Sequence, residues 1–191
     1  MSLTTQKSIS NPPGGLLIWI VIYLELLTYG IALVGLAYYA ATNRTEFHND
    51  SLLLNRTIGG INTVLLLSSG FLIAKGVQFF KQNALQKTKQ YFALAMLLGL
   101  GFLILKGYEY FEKIDSGISM DHSSFYIFYW LLTGFHWIHV LVGVVILFFI
   151  RRSIVIKEDK VNIMDIEAGA AFWHMCDLIW LFLFPILYLI L

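Results

Sequence analysis

The chain has one cysteine and few charged residues, and both shortages exclude classes of protein. Cys176 lies inside an apolar run, so no disulfide can form within the chain and no Cys-x-x-Cys metal motif is present. Lysine, arginine, aspartate and glutamate make up only 13% of the 191 residues, and the formal net charge is +1. Nucleic-acid binding needs a basic surface that displaces counterions from phosphates. The composition therefore argues against a nucleic-acid partner.

Apolar residues are abundant, and they are grouped in long runs. Hydrophobic residues make up 58% of the chain, and the mean hydropathy is +0.73, above the roughly half-apolar composition of a soluble domain. The charged residues are confined to short segments between the runs. The sequence therefore predicts one integral membrane domain, residues 1–191, with no separate water-facing domain.

Five apolar runs are long enough to cross a bilayer. A transmembrane helix needs about 20 apolar residues, each rising about 1.5 Å, to span a hydrocarbon core of roughly 30 Å. The sequence therefore predicts an all-α fold, a bundle of five transmembrane helices. The predicted spans are approximately Leu16 to Ala41, Thr57 to Phe80, Tyr91 to Phe111, Phe125 to Ile150, and Ile166 to Leu191.

The basic residues between the spans predict how the chain lies in the membrane. Eight of them are on the N-terminal side, against three on the other, and the positive-inside rule then places the N-terminus in the cytoplasm and the C-terminus outside. The eight are Lys7, Lys81, Lys87, Lys89, Arg151, Arg152, Lys157 and Lys160, and the three are Arg44, Arg56 and Lys113.

Five ionisable residues lie near the middle of the predicted spans: Glu25, His136, His139, His174 and Asp177. An ionisable side chain in hydrocarbon is costly and needs a partner or a function. The two histidines of span 4 are three residues apart, as are the histidine and aspartate of span 5, so each pair projects from one side of its helix. We therefore expect a shared polar cluster between spans 1, 4 and 5.

Three interpretations of this cluster are open from the residues alone. The side chains could be hydrogen-bonded contacts that fix helix packing. They could hold or pass protons. They could also bind a metal ion or haem through histidine, although His-x-x-His alone is a weak signal for such a site.

A lysine and a glutamate lie together near the outer end of span 3. Lys106 and Glu109 are three residues apart and both fall within the apolar run. This spacing predicts a buried ion pair at the lipid boundary. Glu112 and Asp115 follow them, and we expect these two at a solvated helix end.

Two sequence strings resemble subunit III of the haem-copper oxidases. Residues 128–143 read Phe-Tyr-Trp-Leu-Leu-Thr-Gly-Phe-His-Trp-Ile-His-Val-Leu-Val-Gly, which is similar to the Thr-Gly-Phe-His-x-x-His-Val stretch of that subunit. Residues 167–185 contain Trp-His-Met-Cys-Asp-Leu-Ile-Trp, which is similar to its last helix. Weaker matches are residues 61–70, residues 109–112 and Glu25 inside span 1. The resemblance covers all five spans, equivalent to the last five of seven helices in long members.

Within that family the chain is most similar to accessory proteins encoded beside nitric oxide reductases. This similarity is in Lys106-Gly-Tyr-Glu-Tyr, in Gly117-Ile-Ser and in the last span. Oxidase members tend to have glutamine at the position of Lys106 and glycine at the position of Trp137.

The resemblance implies a non-catalytic accessory subunit of a haem-copper terminal oxidase or nitric oxide reductase complex. Such a subunit carries no cofactor of its own; haems with copper or non-haem iron belong to a catalytic, subunit I-like partner. It binds phospholipid, supports assembly, stability and proton uptake, and is located in the bacterial cytoplasmic (inner) membrane. The matched proton network is Glu25, His136, His139, His174 and Asp177. The alternative is a self-contained membrane haem or metal protein using the three histidines as ligands.

Overall fold

The structure, a computed structural model, describes residues 12–156 and 161–190. Apart from its connections, this part of the chain is helical and contains no strand. A 3-10 turn, Met120–His122, precedes α5, and a π-helix, Ile186–Ile190, continues α6. The α-helices are α1 (Leu16–Thr42), α2 (Arg44–Leu52), α3 (Arg56–Lys81), α4 (Leu85–Asp115), α5 (Ser124–Ile156) and α6 (Ile163–Pro185).

Five of the described helices are long and apolar enough to cross a membrane: α1, α3, α4, α5 and α6 with its π-helical end. The prediction of an all-α membrane bundle is therefore confirmed. The orientation of the termini stays a prediction, and three of the lysines on which it rests, Lys7, Lys157 and Lys160, lie outside the described residues, as does Leu191.

The helices differ from the predicted spans mainly at their ends. Helix α4 begins at Leu85 and continues to Asp115, so Glu112 and Asp115 belong to its last turns. The first connection, which the sequence analysis left without structure, contains α2. Only Phe47 anchors its apolar side, with its ring edge-on to Phe125 at a centroid distance of 5.7 Å. Nine mostly polar residues give no hydrophobic periodicity, so the sequence alone did not reveal this helix.

Helix α6 is central in the bundle and contacts α1, α3 and α5, whereas α1 packs mainly against α5 and α6. Glycines make room for Trp173, one of two fully buried tryptophans of α6. A Cβ atom at Gly99 of α4 would lie 2.6 Å from its indole, and one at Gly143 of α5 would lie 2.8 Å from it. The indole therefore fits between two helices only because both positions lack a side chain.

Side-chain oxygens cap the starts of three spanning helices. Asn55 Oδ1 accepts from the backbone N–H groups of Thr57 and Ile58 at the start of α3. Asn162 Oδ1 accepts from Met164 N at the start of α6. Glu46 of α2 accepts from Ser124 N at the start of α5, over 3.2 Å. These contacts satisfy amide donors that a helix leaves free at its first turn.

Candidate functional site

The first predicted pair joins α1 to α5. His139 Nε2 lies 3.3 Å from Glu25 Oε2, and the side chains are only 12% and 24% exposed. This distance is within ion-pair range, although the angles do not make a hydrogen bond. His139 Nδ1 lies 2.8 Å from the carbonyl oxygen of Phe135, which can only accept. With Nδ1–H committed there, Nε2 and the carboxyl oxygen can face each other favourably only if one of them carries a proton.

A tyrosine that the sequence analysis did not select lies beside this pair. Tyr29 follows Glu25 by four residues on α1, and its ring is edge-on to the His139 ring at 6.2 Å. Its hydroxyl is buried and has no hydrogen-bond partner within the described ranges. The spacing of four from Glu25 was the available signal, because such residues share one side of a helix.

The second predicted pair lies within α6. His174 Nδ1 is 3.2 Å from Asp177 Oδ2, and the two side chains are 44% and 10% exposed. Gly70 of α3 provides the space for this carboxylate, because a Cβ atom there would overlap Asp177 Oδ2. The pair therefore depends on a glycine of the neighbouring helix.

His136 is separated from both pairs, so the expected single cluster is divided. Its fully buried ring stacks on Trp180 at 5.3 Å and meets Phe102 edge-on at 5.7 Å. Neither ring nitrogen has a hydrogen-bond partner in the described part of the chain. Three residues of α-helix turn through about 300°, so His136 and His139 diverge by about 60°. On α5, His139 reaches α1, whereas His136 points between α4 and α6.

This separation also bears on metal binding. Among residues 12–156 and 161–190, no three His, Cys, Asp or Glu side chains come together where they could hold one metal ion. His136 lies among aromatic rings, His139 faces Glu25, and His174 bonds to Asp177. This arrangement does not fit a shared ligand set of three histidines.

The ion pair predicted for the outer end of α4 is formed and is completely enclosed. Lys106 Nζ lies 3.1 Å from Glu109 Oε1, and both side chains are 0% exposed. Protein therefore surrounds the pair, and it does not lie at the lipid boundary. The reason is that Tyr129 of α5 and Tyr188 of the π-helix cover it, two residues that the sequence analysis did not assign to the site.

Both tyrosines bridge the lysine and the glutamate. Their hydroxyls accept from Lys106 Nζ at 3.0 Å (Tyr129) and 2.5 Å (Tyr188). The same hydroxyls donate to Glu109 Oε1 at 2.7 Å and 2.6 Å. With Glu109 as the third acceptor, all three ammonium hydrogens have a partner. The ammonium also lies between 4.7 and 5.7 Å from the centres of four aromatic rings, those of Tyr110, Tyr129, Trp180 and Tyr188.

Comparison with known proteins shows the family of the chain. Residues 53–190 match the model of the family described as "Cytochrome c oxidase subunit III". The chain belongs to the cytochrome c oxidase subunit III family. The match contains the three histidines of the predicted site, His136, His139 and His174, together with Asp177, Lys106 and Glu109, whereas Glu25 precedes it. As a subunit III homologue, the chain is a multi-pass membrane protein of the haem-copper oxidase group.

Several relatives named cytochrome c oxidase subunit 3 are similar to much of the chain. The protein from Schizophyllum commune is 34% identical over 66% of this chain and 47% of its own length. The protein from Synechocystis is 28% identical over 72% of this chain and 58% of its own length. The protein from Drosophila melanogaster is 33% identical, over 67% and 48% respectively. The chain thus spans about half the length of these relatives.

Proposed function

We propose that the chain is a non-catalytic accessory subunit of a haem-copper terminal oxidase or nitric oxide reductase complex in respiratory electron transport. Membership of the subunit III family supports this proposal. In it, a catalytic subunit I-like partner holds the haems with copper or non-haem iron. This chain supports the assembly, stability and proton uptake of that partner.

The observation that carries the proton role is the Glu25–His139 contact between α1 and α5. His139 Nε2 and Glu25 Oε2 face each other and need one proton between them. The pair can therefore release or accept a proton without a movement of α1 or α5. His174 and Asp177 form a second such pair on α6. In this proposal His136 contributes through its stacking contacts, and the four other residues carry the protons.

The membrane placement in this proposal is the cytoplasmic membrane of a bacterium, with the N-terminus inside. Helix α1 exposes several large apolar side chains, including Leu17, Leu27 and Val34, each more than half exposed. Bound phospholipid would cover this face, because acyl chains are as apolar as the side chains they meet. Residues 1–191 would then act as one membrane domain.

The nitric oxide reductase branch is the finer part of the proposal. It rests on Lys106, whose ammonium bonds to Tyr129, Tyr188 and Glu109 in the closed site described above. Each hydrogen of the charged lysine has a partner there, so the surrounding residues are suited to a lysine at this position. The identity of the catalytic subunit that co-purifies with the chain would show whether the complex reduces oxygen or nitric oxide.

Gentle purification from native membranes tests the function. The chain is tagged at its N-terminus, and co-purifying proteins, the haem spectrum and the metal content are recorded together. We expect a haem-bearing catalytic subunit to accompany it, and the chain stripped from that subunit to be colourless and free of metal. A chain that purifies alone with its own haem or metal would favour the alternative, a self-contained haem or metal protein.

A further inference from the structure

A groove runs over α6 between α1 and α3. It has a volume of about 570 Å³, and an ion pair lies at one end, where Lys81 Nζ is 2.7 Å from Glu167 Oε1. A second cavity of about 370 Å³ shares Leu26 and Leu178 with it and continues along α1 and α6 as far as Phe182. From Glu167 to Phe182 the helix rises about 22 Å. The groove therefore extends over most of a membrane span.

His174 lies on this groove, and its imidazole is 44% exposed. It follows the first residue of α6 by eleven positions, which places it roughly 17 Å along the helix and near the middle of the bilayer. Its Nδ1 atom contacts Asp177, and its Nε2 atom has no hydrogen-bond partner among the residues described. An open imidazole at this depth is unfavourable against acyl chains.

The walls of the groove are formed partly by small side chains. Ala74 of α3 and Ala170 and Ala171 of α6 line it. Small residues let the backbone of another helix approach closely, as is typical of contacts between membrane helices. An acyl chain would fill the same space, but it would leave the imidazole nitrogen unpaired in hydrocarbon.

We infer that this groove binds a transmembrane helix of the partner subunit, one that presents a hydrogen-bonding side chain to His174. In the tautomer in which His174 donates Nδ1–H to the Asp177 carboxylate, Nε2 is left as an acceptor. The partner's side chain is therefore a donor, such as serine, threonine, asparagine or glutamine. This inference rests on the proposed function, because it names the surface through which the accessory subunit contacts its catalytic partner.

Photo-crosslinking in native membranes tests the surface. The full chain carries a benzophenone amino acid at Ala74, which is exposed on the groove wall, or at the control position Leu97. Leu97 lies on α4 near mid-membrane, is 65% exposed, and does not line the groove. We expect the Ala74 probe to form an adduct with one membrane-spanning peptide of the haem-bearing subunit, and the Leu97 probe to form none with it.

The other outcomes separate this inference from the proposed function. If the catalytic subunit co-purifies but the Ala74 probe reacts only with lipid, with a second copy of this chain, or with nothing, the groove is not its binding surface. If no catalytic subunit co-purifies at all, the proposed function is wrong, and the inference about the groove, which depends on it, is wrong as well.

A substitution tests the hydrogen bond itself. His174→Ala removes the acceptor, and we expect the catalytic subunit retained during purification to fall about threefold to tenfold, typical of one hydrogen bond between membrane helices. His174→Gln keeps an acceptor near the Nε2 position and should retain most of the partner. Equal retention by the wild type and both variants would overturn the role of His174, and the crosslinking result still decides the surface if the alanine variant folds poorly.

Discussion

In the proposed function, Glu25 and His139 form a pair that holds a proton. A substitution that preserves the shape of the glutamate side chain tests this role. Glu25→Gln keeps the size of the side chain and removes its titration. We expect the assembled complex to turn over severalfold more slowly or to inactivate severalfold faster during turnover, because the pair can no longer exchange its proton.

Turnover and its decay are measured on the purified complex under identical conditions. Glu112→Gln, in the last turns of α4 and outside both pairs, is the matched control and should behave as wild type. Unchanged turnover and unchanged inactivation in Glu25→Gln would leave helix packing as the role of this pair.

The buried ion pair between Lys106 and Glu109 leads to a prediction about the stability of the fold. Removing one partner of a fully buried ion pair leaves the other charge uncompensated, which typically costs about 3 to 5 kcal/mol. Lys106→Met should therefore lower the free energy of unfolding by an amount in this range, whereas the double variant Lys106→Met/Glu109→Leu should recover much of the loss.

Unfolding in mixed detergent micelles, followed by tryptophan fluorescence, measures this difference. A double-mutant cycle then gives the coupling energy between the two residues. If the double variant is as unstable as the sum of the two single variants, the pair is not energetically coupled and our account of the site is wrong.

At the scale of secondary structure, the end of α6 brings Tyr188 to Lys106. Pro185 has no N–H to continue the α-helical ladder, and the π-helix Ile186–Ile190 follows it directly. A π-turn changes the direction of every later side chain relative to an α-helix. We propose that Pro185 selects this geometry and so positions the Tyr188 hydroxyl between Lys106 and Glu109.

The pair Pro185→Ala and Tyr188→Phe tests that idea. Tyr188→Phe removes two buried hydrogen bonds and should lower stability by about 1 to 3 kcal/mol. If proline acts through Tyr188, adding Pro185→Ala to the phenylalanine variant should cause little further loss. Additive losses would show that the proline contributes to stability independently of the tyrosine.

The two glycines around Trp173 make a second prediction about helix packing. Gly99→Ala and Gly143→Ala each place a methyl group against the buried indole, and such overpacking typically costs about 1 to 3 kcal/mol. Gly134→Ala is the matched control on α5, since nothing lies within 4 Å of its added Cβ atom. The control should be neutral or slightly stabilising, because alanine favours a helix over glycine.

Thermal unfolding of the purified chain compares these three variants directly. Equal melting temperatures for Gly143→Ala and Gly134→Ala would mean that the indole can move aside, and that Trp173 does not fix the distance between α5 and α6.

For the molecule as a whole, the orientation in the membrane is open to a labelling experiment. Cys176 is fully buried, so it should not react with a charged thiol reagent. A cysteine at Asn83, between α3 and α4, should react only after the reagent enters the cytoplasm. A cysteine at Ser119, between α4 and α5, should react from outside intact cells. The reverse pattern would contradict the predicted orientation.

The bundle could be predicted from the sequence because membrane spans are determined by local composition. Any run of about 20 apolar residues is costly to leave in water, whatever it contacts later. The pairs Lys106–Glu109 and His174–Asp177 could also be predicted from the sequence, because the two residues of each pair lie three positions apart in one helix.

Contacts between helices were harder to predict. The involvement of Tyr188 depends on the π-turn, which a periodicity of 3.6 does not anticipate. The separation of His136 from His139 depends on which neighbouring helix each one faces, and spacing along α5 alone cannot settle that. The short helix α2 was missed because its single buried ring, Phe47, gives no repeating pattern.

The enclosed lysine has a consequence for the order of biogenesis. Lys106 enters the membrane with α4, but its acceptors Tyr129 and Tyr188 are synthesised about 20 and 80 residues later. Until then Glu109 is its near neighbour, and an ammonium within a span is costly to leave against lipid. We therefore expect α4 to stay beside the insertion machinery, unreleased into the bilayer, until the segment that carries Tyr188 has also entered the membrane.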